Sequence, residues 1–218
     1  MLDYDRITLA AGRCGKIPAK KEDVTLRIIS GKNKGKVIKA VPGMKTRPTS
    51  DKVKEAVFHK IGPYFDGGAV LDLYAGTGNL GLEALSRGCD SAVFIDKSAA
   101  ALKTIKQNIH SCSWQDCTEV YKNEAGRALT QLGNRKIKFD LIFLDPPYAH
   151  QQIENIVEKI SAANLLNLHG MVVCEHQKNI EFPEKIDGLY KKSEDHYGDT
   201  AVTIYTTDGE TGRSLPDA

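Results

Sequence analysis

The sequence predicts an α/β fold: an open, mostly parallel sheet closed by an antiparallel hairpin, with a small basic β-ribbon and a helix in front of it. Three observations carry that reading. From Ala69 onward, short apolar runs alternate with stretches of helical periodicity, the pattern of strands joined by crossover helices. The first run passes through a glycine-rich turn directly into a helical pattern. The last two β-rich runs are separated by Tyr197-Gly198-Asp199-Thr200, a hairpin-turn composition.

The elements follow in order. Residues 1–24 read as an N-terminal extension. Residues 25–29 and 36–40 read as two strands joined through the turn from Gly31 to Gly35, with Pro42-Gly43 and Arg47-Pro48 closing the unit. Ser50 or Asp51 can cap a helix whose apolar positions Val53, Ala56, Val57 and Ile61 fall at helical spacing. That spacing puts Lys52 and Lys54 on the exposed side, and Gly62-Pro63 stops the helix. Five strands are predicted at 69–71, 91–95, 117–121, 139–144 and 171–174. Helices fall between them after Gly81 and over 99–109, 125–132 and 153–160, and the hairpin takes 189–196 and 201–206. The domain division is a basic unit over 25–62, a catalytic domain over 63–207 and a tail over 208–218. A largely parallel sheet binds its ligands at the carboxyl ends of its strands.

Composition bounds the answer without choosing a function. The 218 residues, 27% charged and 41% hydrophobic, suit one globular α/β domain with a small appendage. No apolar stretch approaches a membrane span and the N-terminus lacks a secretory pattern, so a cytoplasmic location is expected. Five cysteines with no C-x-x-C pair argue for reduced thiols, and neither they nor the six histidines cluster as a metal site, so no metal is expected. His150 and His176, just past strand ends, read as loop or structural histidines. The net charge of +2 conceals an asymmetry. Between Gly12 and Lys54 thirteen Lys and Arg stand against Glu22, Asp23 and Asp51, a segment at +10 that leaves the remainder at −8. Leu26, Ile28, Val37, Ile38 and Val41 are interleaved with those cations, which points to a folded phosphate-binding unit instead of a solvated tail.

Three motifs carry chemistry. After Ala69-Val70-Leu71 stands Asp72-Leu73-Tyr74-Ala75-Gly76-Thr77-Gly78-Asn79-Leu80-Gly81, a G-x-G-x-x-G between a strand and a helix, where glycines let a backbone approach a nucleotide ligand closely. The second strand ends at Asp96, 20 residues after Gly76, the position of a ribose-binding acid. The fourth strand runs into Asp145-Pro146-Pro147-Tyr148. An exocyclic amino group of a base is a poor nucleophile because its lone pair is delocalised into the ring. A carboxylate from Asp145 and a carbonyl from Pro146 can accept its hydrogens, Pro147 stiffens the turn, and Tyr148 offers a stacking face. The order of the three motifs points to methyl transfer onto such a nitrogen.

The chain resembles the class I S-adenosylmethionine-dependent methyltransferases. It is more closely similar to the RsmD family of bacterial small-subunit ribosomal RNA guanine-N2 methyltransferases, over roughly residues 26–206. Arg27-Ile28-Ile29-Ser30-Gly31 with Lys34-Gly35-Lys36, and Thr46-Arg47-Pro48-Thr49-Ser50-Asp51-Lys52-Val53-Lys54-Glu55-Ala56-Val57-Phe58, carry the closer likeness together with the motifs above. The resemblance implies a Rossmann-like sheet, S-adenosyl-L-methionine as cofactor, and 16S ribosomal RNA or a small-subunit assembly intermediate as partner. A monomer is expected. Asp72, Tyr74, Ala75, Gly76, Thr77, Gly78 and Gly81 are then expected along the methionine part of the cofactor. Asp96 with Lys97 and Ser98 is expected at the ribose, and Glu124 with Ala125 at the adenine, although the family more often has Asp where this chain has Glu124. Arg27, Lys32, Lys34, Lys36, Arg47, Thr49 and Lys54 are the expected RNA contacts. Transfer to guanine N2 would be direct and in line, with the amino proton passing to Asp145 or to water, from a base splayed or flipped out of its stack.

Other classes fit less of the chain. A nicotinamide oxidoreductase accounts for the glycine turn and Asp96 but leaves Asp145-Pro146-Pro147-Tyr148 and the basic unit without a purpose. A non-catalytic RNA-binding protein needs neither Asp96 nor Asp145. An adenine-N6 methyltransferase acting on DNA or RNA shares the chemistry, and the alternative stays open at this level. For a DNA enzyme, no insertion is long enough to form a substantial DNA-reading region.

Overall fold

The computed structural model of the protein describes residues 26–43, 51–146 and 150–208. Among the described residues eight strands form one sheet in the order β3-β2-β1-β4-β5-β8-β7-β6. The parallel part comprises β1 (Ala69–Asp72), β2 (Ser91–Asp96), β3 (Thr118–Lys122), β4 (Phe139–Leu144) and β5 (Leu166–Gln177). The antiparallel part is β8 (Thr200–Thr206) against β5, β7 (Leu189–Tyr197) against β8, and the short β6 (Lys185–Ile186). The helices are α1 (Asp51–Ile61), α2 (Asn79–Ser86), α3 (Ala99–Cys112), α4 (Ala125–Asn134) and α5 (His150–Ala162).

The central strands read as unbroken apolar runs because both faces of the sheet are covered. Val70 and Leu71, Phe94 and Ile95, and Leu141 to Leu144 are all buried. On one face α4 and α5 pack Leu129, Leu132, Ile153, Ile156, Val157 and Ile160 onto Leu71, Ile95, Ile142 and Val172. On the other, α1, α2 and α3 pack Val57, Phe58, Leu82, Leu85, Ile105 and Ile109 onto Val70, Phe94, Leu141 and Phe143. Leu26, Ile28 and Ile38 of the basic segment join this second layer, so that segment lies against the catalytic body.

The basic ribbon is less regular than two strands. Among the described residues a single antiparallel bridge joins Arg27 and Val37, with hydrogen bonds from Ile28 N to Lys36 O and from Ile38 N to Leu26 O. The reason is competition for its backbone. Ile29 and Ser30 donate their N–H groups to the Glu83 carboxylate at 2.7 and 3.0 Å, and Lys32 N donates to Ser86 O at 2.8 Å. Gly31 (φ +83°) touches α2 so closely that a Cβ there would lie 1.7 Å from Ser86 O.

Lys54 requires a correction, because it is fully buried and not on the exposed side of α1. The buried stripe of α1 is Lys54, Val57, Phe58 and Ile61, an i, i+3, i+4, i+7 set in which Phe58, not Ala56, marks the core face. Its Nζ donates to Arg27 O and Asn79 Oδ1, both at 2.6 Å, and lies 3.1 Å from Glu83 Oε2. Glu83 also pairs with Arg87 at 2.8 Å, and Arg87 donates to Pro63 O while lying over the Phe58 ring. Burial pulls the Lys54 pKa down more strongly than Glu83 raises it. Every member of the cluster has a polar partner, the condition under which buried charges persist.

Two smaller differences concern the far end of the sheet. β5 extends on both sides of the predicted 171–174, carrying a register shift opposite Phe139 and Leu141, and β6 adds an edge strand of two residues. The C-terminal continuation, Glu175-His176-Gln177, is polar and pairs with β8, a neighbour that periodicity cannot identify. Among the described cysteines Cys89, Cys112 and Cys174 are buried, Cys117 is half-buried, and all four are free. Burial pushes the Cys89 thiol up to about 12, a protonated packing residue. His176 bonds Thr203 Oγ1 at 2.8 Å and lies edge-on to Phe182, a structural setting.

Candidate active site

The chain runs outward from β1 through β2 to β3 and then returns to β4 beside β1. The carboxyl ends of β1 and β4 therefore flank a topological switch point, where open α/β sheets bind ligands. Asp72 ends β1, Asp96 ends β2 and Asp145 follows β4, so three of the expected acids share that edge. Leu144 pairs with Cys174 of β5, so the next position brings Glu175 beside Asp145.

The glycine turn is built from backbone hydrogen bonds. Ala75 N donates to Ile95 O at 3.0 Å, and Gly78 N closes the turn on Ala75 O. Gly78 is left-handed (φ 79°) and stands at the N-cap of α2. Gly81 is required by close approach, since a Cβ there would lie 2.4 Å from the Phe94 ring. Its N–H donates to Asp72 Oδ2 at 3.0 Å. Two buried polar side chains hold the residues flanking Gly78: Asn108 donates to Thr77 O at 2.9 Å, and Lys54 donates to Asn79.

The acids differ in environment. Asp72 is enclosed, and burial followed by the Asp96 charge raises its pKa to about 7 against the lowering hydrogen bond from Gly81. Asp145 has surface that reaches solvent, yet the protein crowded around it disfavours its charge most. Glu175 and then Asp72 add repulsion, and its pKa is pushed up to about 8. Solvent screens more of that repulsion at Asp145 than at Asp72. Asp96 is half-buried and accepts from Gly76 N at 2.9 Å and Ser98 N at 2.7 Å, one bond on each oxygen. A carboxylate has about four acceptor positions, so Asp96 retains capacity for two hydroxyls.

The remaining expected contacts lie around this edge. Tyr74 is half-buried, with its hydroxyl pushed up to about 12 by burial and by Glu124. Ala75 is buried, Lys97 is exposed, and Ser98 caps α3 by accepting from Ala101 N. Glu124 caps α4 through Gly126 N and Arg127 N, bonds that hold its pKa below the usual carboxylate range, and Ala125 is the first residue of that helix. Pro146 is half-buried, while Pro147 and Tyr148 lie outside the described residues, as do Arg47 and Thr49. Among the described residues no group of His, Cys, Asp and Glu is arranged to hold a metal ion.

The expected RNA contacts divide. Lys32, Lys34 and Lys36 are exposed on a turn that rests on the C-terminal ends of α2 and α3, through Lys32 N to Ser86 O and Asn33 Nδ2 to Cys112 O. Helix C-termini favour cations, so part of the lysine content has a local electrostatic reason. Arg27 pairs with Asp51 at 2.8 Å on the surface. Lys54 is sealed in the core and cannot reach a nucleic acid directly. Sequence reasoning missed Glu175, Asn79, Asn108 and the Glu83–Arg87 pair. For Glu83 the available signal was an acid inside the apolar helical pattern Leu82 to Leu85.

A cationic, hydroxyl-bearing ligand fits this edge. Asp72, Asp96 and Asp145 make no ion pair with a Lys or Arg among the described residues, and the repulsion raising Asp145 is what a positive charge relieves. Among the described residues nothing crowds Gly76, since the nearest atom to a Cβ built there is 3.9 Å away.

The chain is similar to several known proteins. "Putative rRNA methyltransferase YlbH" of Bacillus subtilis is 45% identical over 184 residues, covering 84% of this chain and all of that protein. "Ribosomal RNA small subunit methyltransferase D" of Haemophilus influenzae is 31% identical over 75% of this chain and 85% of its own length. A solved structure titled as a conserved hypothetical protein of Streptococcus pyogenes superposes with a TM-score of 0.68 at 42% identity, covering 75% of this chain and all of that one. The model of the family described as conserved hypothetical protein 95 matches residues 26–206, and this chain belongs to that family.

Proposed function

We propose that the protein methylates ribosomal RNA with S-adenosylmethionine as donor, and that the atom methylated is the exocyclic N2 of a guanine in 16S RNA. The observation that carries the reading is Asp145-Pro146 at the end of β4, on the same strand edge as Asp72 and Asp96. The relatives' names supply the class of substrate. Ribosomal RNA as substrate implies work in the compartment where ribosomes are assembled.

S-adenosylmethionine supplies an electrophilic methyl group on a sulfonium, so the work of the chain is positioning. Asp96 would accept the ribose hydroxyls, the turn from Ala75 to Gly78 would hold the methionine part, and Glu124-Ala125 would border the adenine. Asp145 and the Pro146 carbonyl accept the two amino hydrogens of the guanine and aim the nitrogen lone pair at the methyl carbon. Transfer would be direct and in line, the nitrogen taking the methyl group as the sulfonium releases it, and one amino proton would leave to Asp145 or to water. Orientation of this kind accounts for several kcal/mol of barrier, and fixed acceptors at the nitrogen add to it. Tyr148 is the stacking platform and Pro147 stiffens the segment that bears it.

The test is incubation of the protein and methyl-labelled S-adenosylmethionine with deproteinised 16S RNA and with small subunits, followed by nucleoside mass analysis. The reading expects label in N2-methylguanosine. Label in N6-methyladenosine transfers the target to adenine, and no label in any RNA overturns the reading.

A further inference from the structure

We propose that the groove between the second arm of the basic segment and the outer face of α3 is a track for an RNA phosphate backbone, running from the basic turn towards the strand ends. The proposal rests on the RNA-methyltransferase reading and adds a binding surface to it. The groove is lined by Lys39, Lys103, Lys106, Gln107, His110 and Ser111, all exposed, with no carboxylate among them. Lys103, Lys106 and His110 are spaced i, i+3, i+7 and share one face of α3.

The charge of this groove is uncompensated. Lys39 Nζ donates to Gln107 Oε1 at 3.2 Å, and among the described residues none of Lys39, Lys103 and Lys106 pairs with an Asp or Glu. Elsewhere on the surface exposed cations do find acids, as in Arg27–Asp51, Lys60–Asp195 and Lys178–Asp199. Like charges about one helical turn apart repel one another, and a polyanion is their complement. A protein partner would be expected to meet exposed apolar anchors, and none of the large exposed hydrophobics, Val37, Tyr64, Tyr121 and Leu168, lines the groove.

Position gives the direction of the track. Asn33 in the basic turn bonds the carbonyl of Cys112, the last residue of α3. Lys39 lies further along, exchanging backbone hydrogen bonds with the Asn108 amide at 2.8 and 3.1 Å. Lys106 and Lys103 continue towards the start of α3, which follows Asp96 at the strand edge. A helix of this length spans about 20 Å. A strand held by Lys32, Lys34 and Lys36 that also delivers a base to Asp145 must cross this distance. Asn108 fixes the track to the site, because the amide that clamps Lys39 also donates to Thr77 O in the glycine turn at 2.9 Å.

The test is a K39Q/K103Q/K106Q variant, compared with wild type by filter binding of transcribed 16S RNA between 50 and 200 mM salt, about the range over which phosphate contacts dominate. A charge-matched K136Q/K138Q/K185Q variant away from the groove is the control. The groove variant should lose about tenfold or more in RNA affinity at the low-salt end, and its log–log salt slope should flatten by about 2, three contacts at roughly 0.7 each. Its melting temperature and S-adenosylmethionine affinity should match wild type. Equal losses in both variants, or a wild-type slope in the groove variant, overturn the proposal. Wild-type protein that methylates RNA alongside a groove variant that binds normally removes the track and keeps the function. Wild-type protein that transfers no methyl group, but whose RNA binding depends on the groove, removes the function and keeps the track. RNA binding by wild type that is absent or insensitive to salt also overturns the track.

Discussion

Replacing Lys54 with methionine removes a charge and three polar contacts from the second core layer while nearly conserving the side chain's length. Arg27 O and Asn79 Oδ1 lose a donor each, and Glu83 loses one of its two cations. Breaking a buried ion pair costs about 3–5 kcal/mol when it strands a charge. Here Arg87 and the N–H groups of Ile29 and Ser30 still hold Glu83, which reduces that term, while each orphaned acceptor adds about 1–3 kcal/mol. Methionine avoids the desolvation cost that lowers the Lys54 pKa, which offsets part of the loss. A net destabilisation of about 3 kcal/mol is expected, or roughly 6–12 °C in melting temperature for a chain of this size. Urea denaturation measures it as a shift in midpoint at unchanged slope. Lys52→Met, an exposed position on the same helix, should stay within about 0.5 kcal/mol. A Lys54→Met variant as stable as Lys52→Met would refute the buried cluster.

Gly31→Ala should destabilise by more than Gly35→Ala, because both glycines are left-handed but only the first would drive a Cβ into Ser86 O. Melting of the two variants in parallel checks it, and equal effects would mean that the turn does not rest on α2. Asp96→Ala should weaken S-adenosylmethionine binding by about 1.5–3 kcal/mol, the scale of hydrogen bonds to a charged group. Calorimetry showing an unchanged dissociation constant would remove Asp96 from the site. For Asp72 the folded carboxyl is raised from 3.8 to about 7. Between those values the folded state holds a proton that the unfolded state has lost, so the stability that Asp72 contributes is fully present below about pH 4 and is lost as pH rises through 7. Asp72→Asn should flatten that decline in urea melts across pH 4–8, and an identical profile would contradict the enclosed acid.

Much of this was legible from local pattern. The strand at Phe139–Leu144 stands in the structure with the predicted bounds, because a doubly covered strand is an apolar run with polar ends, and the sequence spacing of Asp96 from Gly76 corresponds to a hydrogen bond from Gly76 N to its carboxylate. Lys54 was not legible, because a lysine enters a buried stripe only when a partner waits there, and Glu83 is distant in sequence. Glu175 and Asn108 were missed for the same reason, since their significance comes from register and helix packing. The ribbon was overestimated because alternation between apolar and basic residues signals extended chain without saying whether its backbone bonds its twin or the body beneath. The lysine-rich turn showed its charge in the sequence but not its position at the helix C-termini, away from the strand edge.

The central claim is that Asp145 binds the amino group that accepts the methyl, and single-turnover transfer to 16S RNA by Asp145→Ala tests it most directly. The variant's rate should fall by about two orders of magnitude or more, the scale of losing a preorganised polar contact, with S-adenosylmethionine affinity within severalfold of wild type. Transfer at a near wild-type rate by a variant that binds both cofactor and RNA would contradict it.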